Sequence, residues 1–495
     1  MESTEAHFLY PLFFPQNIAI VGASPSPNMG VSLYLDTYKK YGYGIVRPPR
    51  IYPINPKYAG QKIYGIWECY PSLKQIPEPI DVVLCCINAR YVANLLQECD
   101  KVGAKFLVIY TSGFSEVGKR GEAYTQELKR VLESKPKTRV VGPNCFGAVN
   151  AQIDLNFNQF APLLKGNVSI FSQSGGFANT TVEHSVTRGL GINVGLSVGN
   201  MMDVDMNDFL EFCALDPYTK VIGFYLESLQ SPEKSHRFLR LLRQITPRKP
   251  VIILKGGLTP RGSKTALSHT GAIAGDQRIY KAALKQAGAI IVNNSNEFYD
   301  ISHILSIIFP DRLPKGKKSC VVVPGGGASV EIADLFSSIG LEFPDLPQTT
   351  QEKLAVLLQD VNTSFFNPID TGAYGILPDF FLQIIKIVLQ TTNLVDLLIP
   401  VLQVSRVQRL GTQYRTFAGA FARSLGRLVR KYSIPVILVN RIDRELEDII
   451  QENNKLKEIL YQMRVPHIPS IPRLQIALTY LFSYAKFYYR NTTKY

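Results

Sequence analysis

The 495-residue sequence predicts an α/β protein built on parallel sheets, and three observations lead there. Short Val/Ile-rich runs recur along the chain, glycines follow them, and amphipathic helical stretches separate them. Such alternation marks βαβ units, whose strands are buried on both faces and so read as continuous apolar runs. The pattern restarts twice, giving three blocks, in line with about 150 residues per domain.

In the first block, "NIAIVGAS" (17–24), "IDVVLCCI" (80–87), "AKFLVIYTSG" (104–113) and "TRVVGPN" (138–144) read as buried parallel strands ending in loops. "YVANLLQECDKVG" and "GEAYTQELKRVLES" between them have helical periodicity. The second block runs from "GNVSIFSQSGG" (166–176) through "VIGFYLES" (221–228) and "PVIILKGG" (250–257) to "AGAIIVNNSNEFYD". "PDRLPKGKKS" (310–319) reads as a linker. The third opens with "CVVVPGGGASVEIADLFSSIG", adds "VDLLIPVL" (395–402) and "IPVILVN" (434–440), and closes in a helix, "LQIALTYLFSYAKFYY". The expected domains are therefore 1–150, 151–310 and 311–495.

Composition narrows the function classes. The formal net charge is +14, yet Lys and Arg are scattered singly and in pairs, with no basic tract or nucleic-acid motif. A generally basic surface accounts for this, with small anionic ligands as a second factor. Seven cysteines without CxxC spacing argue against a disulfide framework and a zinc site, and for free thiols in a reducing compartment. The acidic start "MESTEAHFLYPLFF" is unlike a signal peptide. Lys386 and Asp396 interrupt the longest apolar stretch, so no membrane span is expected. These features predict a cytoplasmic protein.

Ligands of open α/β sheets sit beyond the carboxyl ends of strands, where helix N-termini present free N–H groups. The loop "VGASPSPNMG" lacks GxGxxG spacing, which disfavours an NAD-dependent oxidoreductase. Gly22, Ser24 and Gly30 still suit a phosphate, and neighbouring strand ends supply "YPINPK", "YTSGF" and "GPNCFG". Lys57 suits a phosphate and Asn144 offers amide hydrogen bonds. Each loop alone is ordinary turn chemistry; four at successive strand ends suit a long, nucleotide-containing ligand. In the second block, Ser174, Gly175 and Gly176 hand a strand over to a helix and aim backbone N–H groups at an anion. The third turn, Gly325–Gly327 after Pro324, reads as structural.

"KTALSHTGAIAGD" (264–276) sets His269 among hydroxyls and glycines, which leaves room for a phosphoryl group. Glu227, at the end of a neighbouring strand, is suited to hold one imidazole nitrogen and leave the other nucleophilic. Ser–His–Asp hydrolysis wants a GxSxG elbow, from which "SQSGG" departs. No second histidine lies at metal-ligand spacing.

Together, "IAIVGAS", "YPINPK", "SGF", "GPNCFG", "SQSGG", "SVGN", "YLES", "LKGG", "SHTGAIAGD" and "NPID" (367–370) make the chain resemble the α subunit of nucleoside-diphosphate-forming (ADP-forming) acyl-CoA synthetases, relatives of succinyl-CoA synthetase. The resemblance implies a Rossmann-like CoA-binding domain followed by two flavodoxin-like domains. It implies that His269 is phosphorylated, Glu227 orients it, and Ser174, Gly175 and Gly176 hold the phosphoryl group. CoA would contact Gly22, Ala23, Ser24, Lys57, Ser112, Gly113 and Asn144. Acyl-CoA and phosphate would give an acyl phosphate, then phosphohistidine. A separate ATP-grasp β subunit, in an α₂β₂ assembly, would bind ATP/ADP and Mg²⁺. Two departures stand out: "VRPPR" looks like an insertion beside the CoA site, and "PGGGASV" replaces an asparagine-led turn. The alternative is a non-catalytic CoA-binding protein, which would need neither His269 nor Glu227. The acid activated, the ADP or GDP preference and the physiological direction stay open.

Overall fold

The computed structural model describes residues 4–25, 29–157, 162–257, 261, 277–359, 362–391, 394–442 and 446–492. They form two compact units, the first of residues 1–185 with 191–293, the second of 186–190 with 294–495.

The first unit carries two sheets. Strands β1 (Asn17–Val21) and β2 (Arg50–Ile54) are followed by a small antiparallel pair, β3 (Lys62–Ile63) and β4 (Trp67–Glu68). Then come β5 (Val82–Cys85), β6 (Phe106–Ile109) and β7 (Arg139–Val141), and the sheet order is β2-β1-β5-β6-β7, all parallel. The second sheet has β8 (Gly147–Asn150), β9 (Lys165–Ser172), β10 (Ile192–Ser197), β11 (Val221–Leu226), β12 (Val251–Lys255) and β13 (Ile290–Val292). Its order is β13-β12-β11-β9-β10-β8, parallel except for β8 against β10. The second unit holds one parallel sheet, β15-β14-β16-β17-β18, from β14 (Ser319–Val323), β15 (Ile369–Asp370), β16 (Leu397–Gln403), β17 (Leu438–Arg441) and β18 (His467–Ile468).

Antiparallel β8 apart, all three sheets repeat one order, 2-1-3-4-5, when the parallel strands of each are counted along the chain. Strand order reverses between β1 and β5, β9 and β11, and β14 and β16, and a doubly wound sheet opens its ligand crevice there. The glycine turns anticipated from sequence follow β1, β9 and β14, at those three reversals. Every residue of β1, β5, β6, β12, β14 and β16 is buried, in line with their mainly apolar runs.

Local sequence sets the helix starts. Asp205 and Asp208 form a capping box before the helix Met206–Leu215. Ser231 accepts the Lys234 N–H in front of Pro232–Ile245, whose first residue is the proline. The helix Ser295–Ile308 packs against the last one, Ile471–Thr492, within the second unit. In the same unit the His303 ring is buried between the Gly189 carbonyl (2.7 Å) and the His467 N–H (3.1 Å). Burial pushes it down to about 4, so it is a neutral core histidine. All seven cysteines are free thiols. No described helix is long and apolar enough to cross a membrane.

One sequence expectation is corrected. "VRPPR" does not border the carboxyl-end turns: Arg50 pairs with Asn17 at the amino ends of β2 and β1, whereas those turns follow Val21 and Ile54. Its arginines pair within the chain, Arg47 on Asp154 (3.1 Å) and over the Tyr43 ring, and the exposed Arg50 on Glu78.

The "SVGN" stretch (197–200) docks the second sheet onto the loop after β7. Asn200 N–H donates to the Pro143 carbonyl (2.9 Å) and Met202 N–H to that of Gly142 (3.1 Å). Gly199 has φ +56°, and a Cβ there would stand 2.0 Å from the Pro143 oxygen. Gly199→Ala is therefore expected to cost roughly 2–3 kcal/mol, read as a lowered thermal midpoint, through left-handed strain and that clash.

Candidate active site

At the end of β1, Gly22 adopts φ +98°, and a Cβ would lie 3.0 Å from both the Cys86 carbonyl oxygen and Ile87 Cγ2. Only glycine lets this turn pass the end of β5. The Gly22 and Ala23 N–H groups both donate to the Ile54 carbonyl (3.0 and 3.2 Å), and Asn55 Nδ2 donates to the Ala23 carbonyl (2.7 Å). The turn therefore spends those two donors on β2, and Ala23 is buried. Lys57, in the turn Pro56–Tyr58, is exposed with its ammonium 5.3 Å from the Tyr58 ring centroid. After β6, the N–H groups of Gly113 and Phe114 donate to Glu116 Oε1 (2.6 and 3.1 Å). A carboxylate thus fills the donor side of the "SGF" turn, which sequence reading had left to the ligand.

Two cavities open along these strand ends. One, of about 430 Å³, has Gly22, Ile54, Asn55, Leu73, Ile87 and Tyr91 in its walls. The other, of about 400 Å³, is bounded by Cys86, Ile87, Ser112, Asn144, Phe146 and Gly175, among others. Ile87 lines both, so an elongated ligand would run past it, across the β1/β5 reversal. Of the residues anticipated from sequence, Gly22 lies in the first cavity and Ser112, Asn144 and Gly175 in the second. Ala23, Ser24, Lys57, Gly113, Ser174 and Gly176 lie on the adjoining turns, outside both walls. Asn144 takes the left-handed conformation asparagine tolerates, φ +60°. Burial pushes the adjacent Cys145 thiol up to about 12, which makes it an inert wall.

The second sheet supplies an open helix end. Ser174 Oγ accepts the Phe177 N–H (3.2 Å) and caps the helix Gly175–Thr187. The Gly175 and Gly176 N–H groups have no acceptor among the described residues, and Gly175 lines the 400 Å³ cavity. A Cβ on Gly175 would meet the Phe146 ring at 2.5 Å. At the corresponding turn in the second unit, Asp370 Oδ1 accepts the N–H groups of Gly325 (2.7 Å), the residue before the helix Gly326–Ser337, and of Gly372 (2.9 Å). A carboxylate of the chain itself thus sits at that turn.

Glu227, half-buried beyond β11, is gripped at several points. Gln173 Oε1 accepts the N–H groups of Glu227 (2.5 Å) and Ser228 (3.1 Å), and Lys255 Nζ donates to the Glu227 carbonyl (2.7 Å). The Tyr225 hydroxyl bonds the carboxylate; burial first, then that negative neighbour, push this phenol up to about 12. Gln173 directly precedes Ser174, so Glu227 is tied to the open helix end. Gln173, Tyr225 and Lys255 sit inside "SQSGG", "YLES" and "LKGG", which were their only sequence signal. His269 lies outside the described residues.

Residues 16–151 match the family described as a CoA binding domain, and residues 165–305 the succinyl-CoA ligase like flavodoxin domain. The chain is 33% identical over 390 residues to the acetate–CoA ligase [ADP-forming] II subunit alpha of Pyrococcus furiosus, spanning 79% of this chain and 81% of that one. The chain belongs to the ADP-forming acid–CoA ligase family. It is also 32% identical to acetate–CoA ligase [ADP-forming] I of Archaeoglobus fulgidus, over 72% of this chain but about half, 50%, of that relative's length. Among solved structures, the dinucleotide-forming acetyl-coenzyme A synthetase 1 of Ca. Korarchaeum cryptofilum, in complex with phosphate and ADP, matches with TM-score 0.82 and 30% identity, over 98% of this chain and 99% of that one. In this ligase chain the matched ranges hold both cavities, the open helix end and Glu227.

Two substitutions tell the turns at Gly175 and Gly325 apart. Gly175→Ala, which drives a methyl into the Phe146 ring, is expected to cut ligase turnover by about tenfold or more with an unchanged circular dichroism spectrum. Asp370→Ala is expected to cost roughly 1–3 kcal/mol of stability, measured by denaturant melting, and to leave turnover intact.

Proposed function

We propose that this ligase chain performs the acyl half of an ADP-forming acid–CoA ligase reaction, with CoA stretched along the first sheet. Its nucleotide end occupies the cavity at Gly22 and Asn55, and its thioester lies past Ile87, facing Ser174–Gly176. Phosphate held by the Gly175 and Gly176 N–H groups attacks the thioester carbonyl; the C–S bond breaks, and CoA and an acyl phosphate result. His269 then attacks phosphorus, the bond from phosphorus to the acyl oxygen breaks, and the free acid leaves. Glu227 accepts a hydrogen bond from one imidazole nitrogen, which leaves the lone pair of the other for phosphorus.

The observation that carries this reading is the 400 Å³ cavity, whose walls unite Ser112 and Asn144 of the first sheet with Gly175 at the open helix end of the second. A thioester and an anion would meet there. The Pyrococcus relative is named a subunit alpha, which supports a separate partner. We assign that partner the ATP-grasp fold, with Mg²⁺ and ADP, in an α₂β₂ enzyme that moves the phosphoryl group from His269 to ADP. The domain division that accompanies this is 1–150, 151–310 and 311–495, and the free thiols suit the reducing cytoplasm.

The described walls of the cavity include no charged side chain, which supports an uncharged acyl group over a dicarboxylate. Relatives are named for acetate, 4-hydroxybutyrate and trans-feruloyl-CoA. Intact-mass analysis after incubation with phosphate and acyl-CoA is expected to show one added phosphoryl group, absent in His269→Ala. Phe146→Ala, which enlarges the cavity, is expected to raise kcat/KM for an aryl-CoA relative to acetyl-CoA by about tenfold. Phosphoryl gain in His269→Ala would overturn the assignment of the nucleophile.

A further inference from the structure

Lys255 is the one charged residue of the fully buried strand β12, and it stands at 6% exposure. An ammonium so placed is costly unless hydrogen-bonded, and its contacts are specific. Nζ donates to the backbone carbonyls of Glu227 (2.7 Å) and Gly256, and stands 5.4 Å from the Tyr280 ring centroid, within cation–π range. One side chain therefore touches the turn bearing Glu227, the chain leaving β12, and the helix Gln277–Gln286. The last two flank residues 258–276, the segment that contains His269.

We infer that Lys255, as an ammonium, is a positioning residue for phosphoryl transfer: it clamps the Glu227 turn to both flanks of the His269 segment and sets a positive charge to act on the Glu227 carboxylate that faces the imidazole. The inference rests on the roles of His269 and Glu227 proposed above. Lys255 touches no reacting atom and acts through Glu227.

A strand-end strut without functional charge would make the same two carbonyl bonds, because a neutral amine still has two N–H groups. The pH dependence distinguishes them. Burial pushes Lys255 down to about 8, opposed by the Glu227 carboxylate. The groups facing it are Glu227 after β11 and the Tyr280 phenol from its helix, with Tyr225 of β11 bonded to Glu227; burial raises both phenols, so neither ionises near pH 8. As pH climbs through about 8, the folded chain releases this proton while the unfolded chain, with an ordinary lysine near 10.4, keeps it. This group's contribution to stability then increases with pH. Activity should move the opposite way, since the deprotonated amine no longer holds Glu227 electrostatically.

The test is the single-turnover rate of phosphoryl incorporation from phosphate and acetyl-CoA between pH 7 and 9, on the full chain with its partner. The wild type is expected to lose rate above about pH 8, Lys255→Met to be roughly tenfold slower at pH 7 with that limb absent, and Lys255→Arg to recover rate and stay flat to pH 9. Lys255→Met within twofold of wild type, or a folded Lys255→Arg that keeps the limb near pH 8, would overturn the inference and leave the phosphohistidine reading standing. No phosphoryl incorporation in the wild type overturns both.

Discussion

The candidate site depends on one carboxamide. Gln173 Oε1 accepts two consecutive N–H groups, those of Glu227 and Ser228, and so joins the end of β9 to the end of β11 where the strand order reverses. A reversal parts the chain, because the connections from the two strands leave to opposite faces. Without a bridge the two ends would be set by loop conformation alone. With it, the open helix end at Gly175 and the Glu227 carboxylate share one rigid base, and Lys255 and Tyr225 complete the grip. Two N–H groups at a sheet edge would otherwise need water, so the bridge also satisfies donors that the turn exposes.

The first sheet works differently. Its turns use most of their donors internally: Gly22 and Ala23 on Ile54, Gly113 and Phe114 on Glu116. What they present to a ligand is shape, a glycine surface and apolar walls at Ile87 and Tyr91, more than a cage of N–H groups. That suits the long, uncharged arm of a CoA-like molecule. In the second sheet the N–H groups of Gly175 and Gly176 have no acceptor among the described residues. The two kinds of turn thus belong to two sheets of one compact unit.

How much of this was legible in the sequence follows from topology. A parallel sheet buried on both faces reveals its strands as apolar runs, and strand direction places the following glycines at the carboxyl edge. Gly22, Ser112, Asn144 and Gly175 could therefore be picked out from residue order. "VRPPR" was misplaced because nearness in sequence to "YPINPK" hides strand direction: the five residues of β2 carry the chain about 16 Å to the opposite edge. The second compact unit also takes in the helix Ser295–Ile308, whose apolar face gives no hint of which sheet it will cover. Gln173, Tyr225, Lys255 and Glu116 escaped notice for a common reason. Their partners are turns or carboxylates brought close by the fold, or a local bend, and residue spacing does not announce such bonds.

The third glycine turn has a consequence for how the chain responds to its surroundings. Asp370 is a permanent internal anion, covalently supplied at fixed effective concentration beside the start of the helix Gly326–Ser337. The turn at Gly175 has no such carboxylate among the described residues. An anion bound at Gly175 would, by mass action, raise the resistance of the first unit to unfolding and proteolysis.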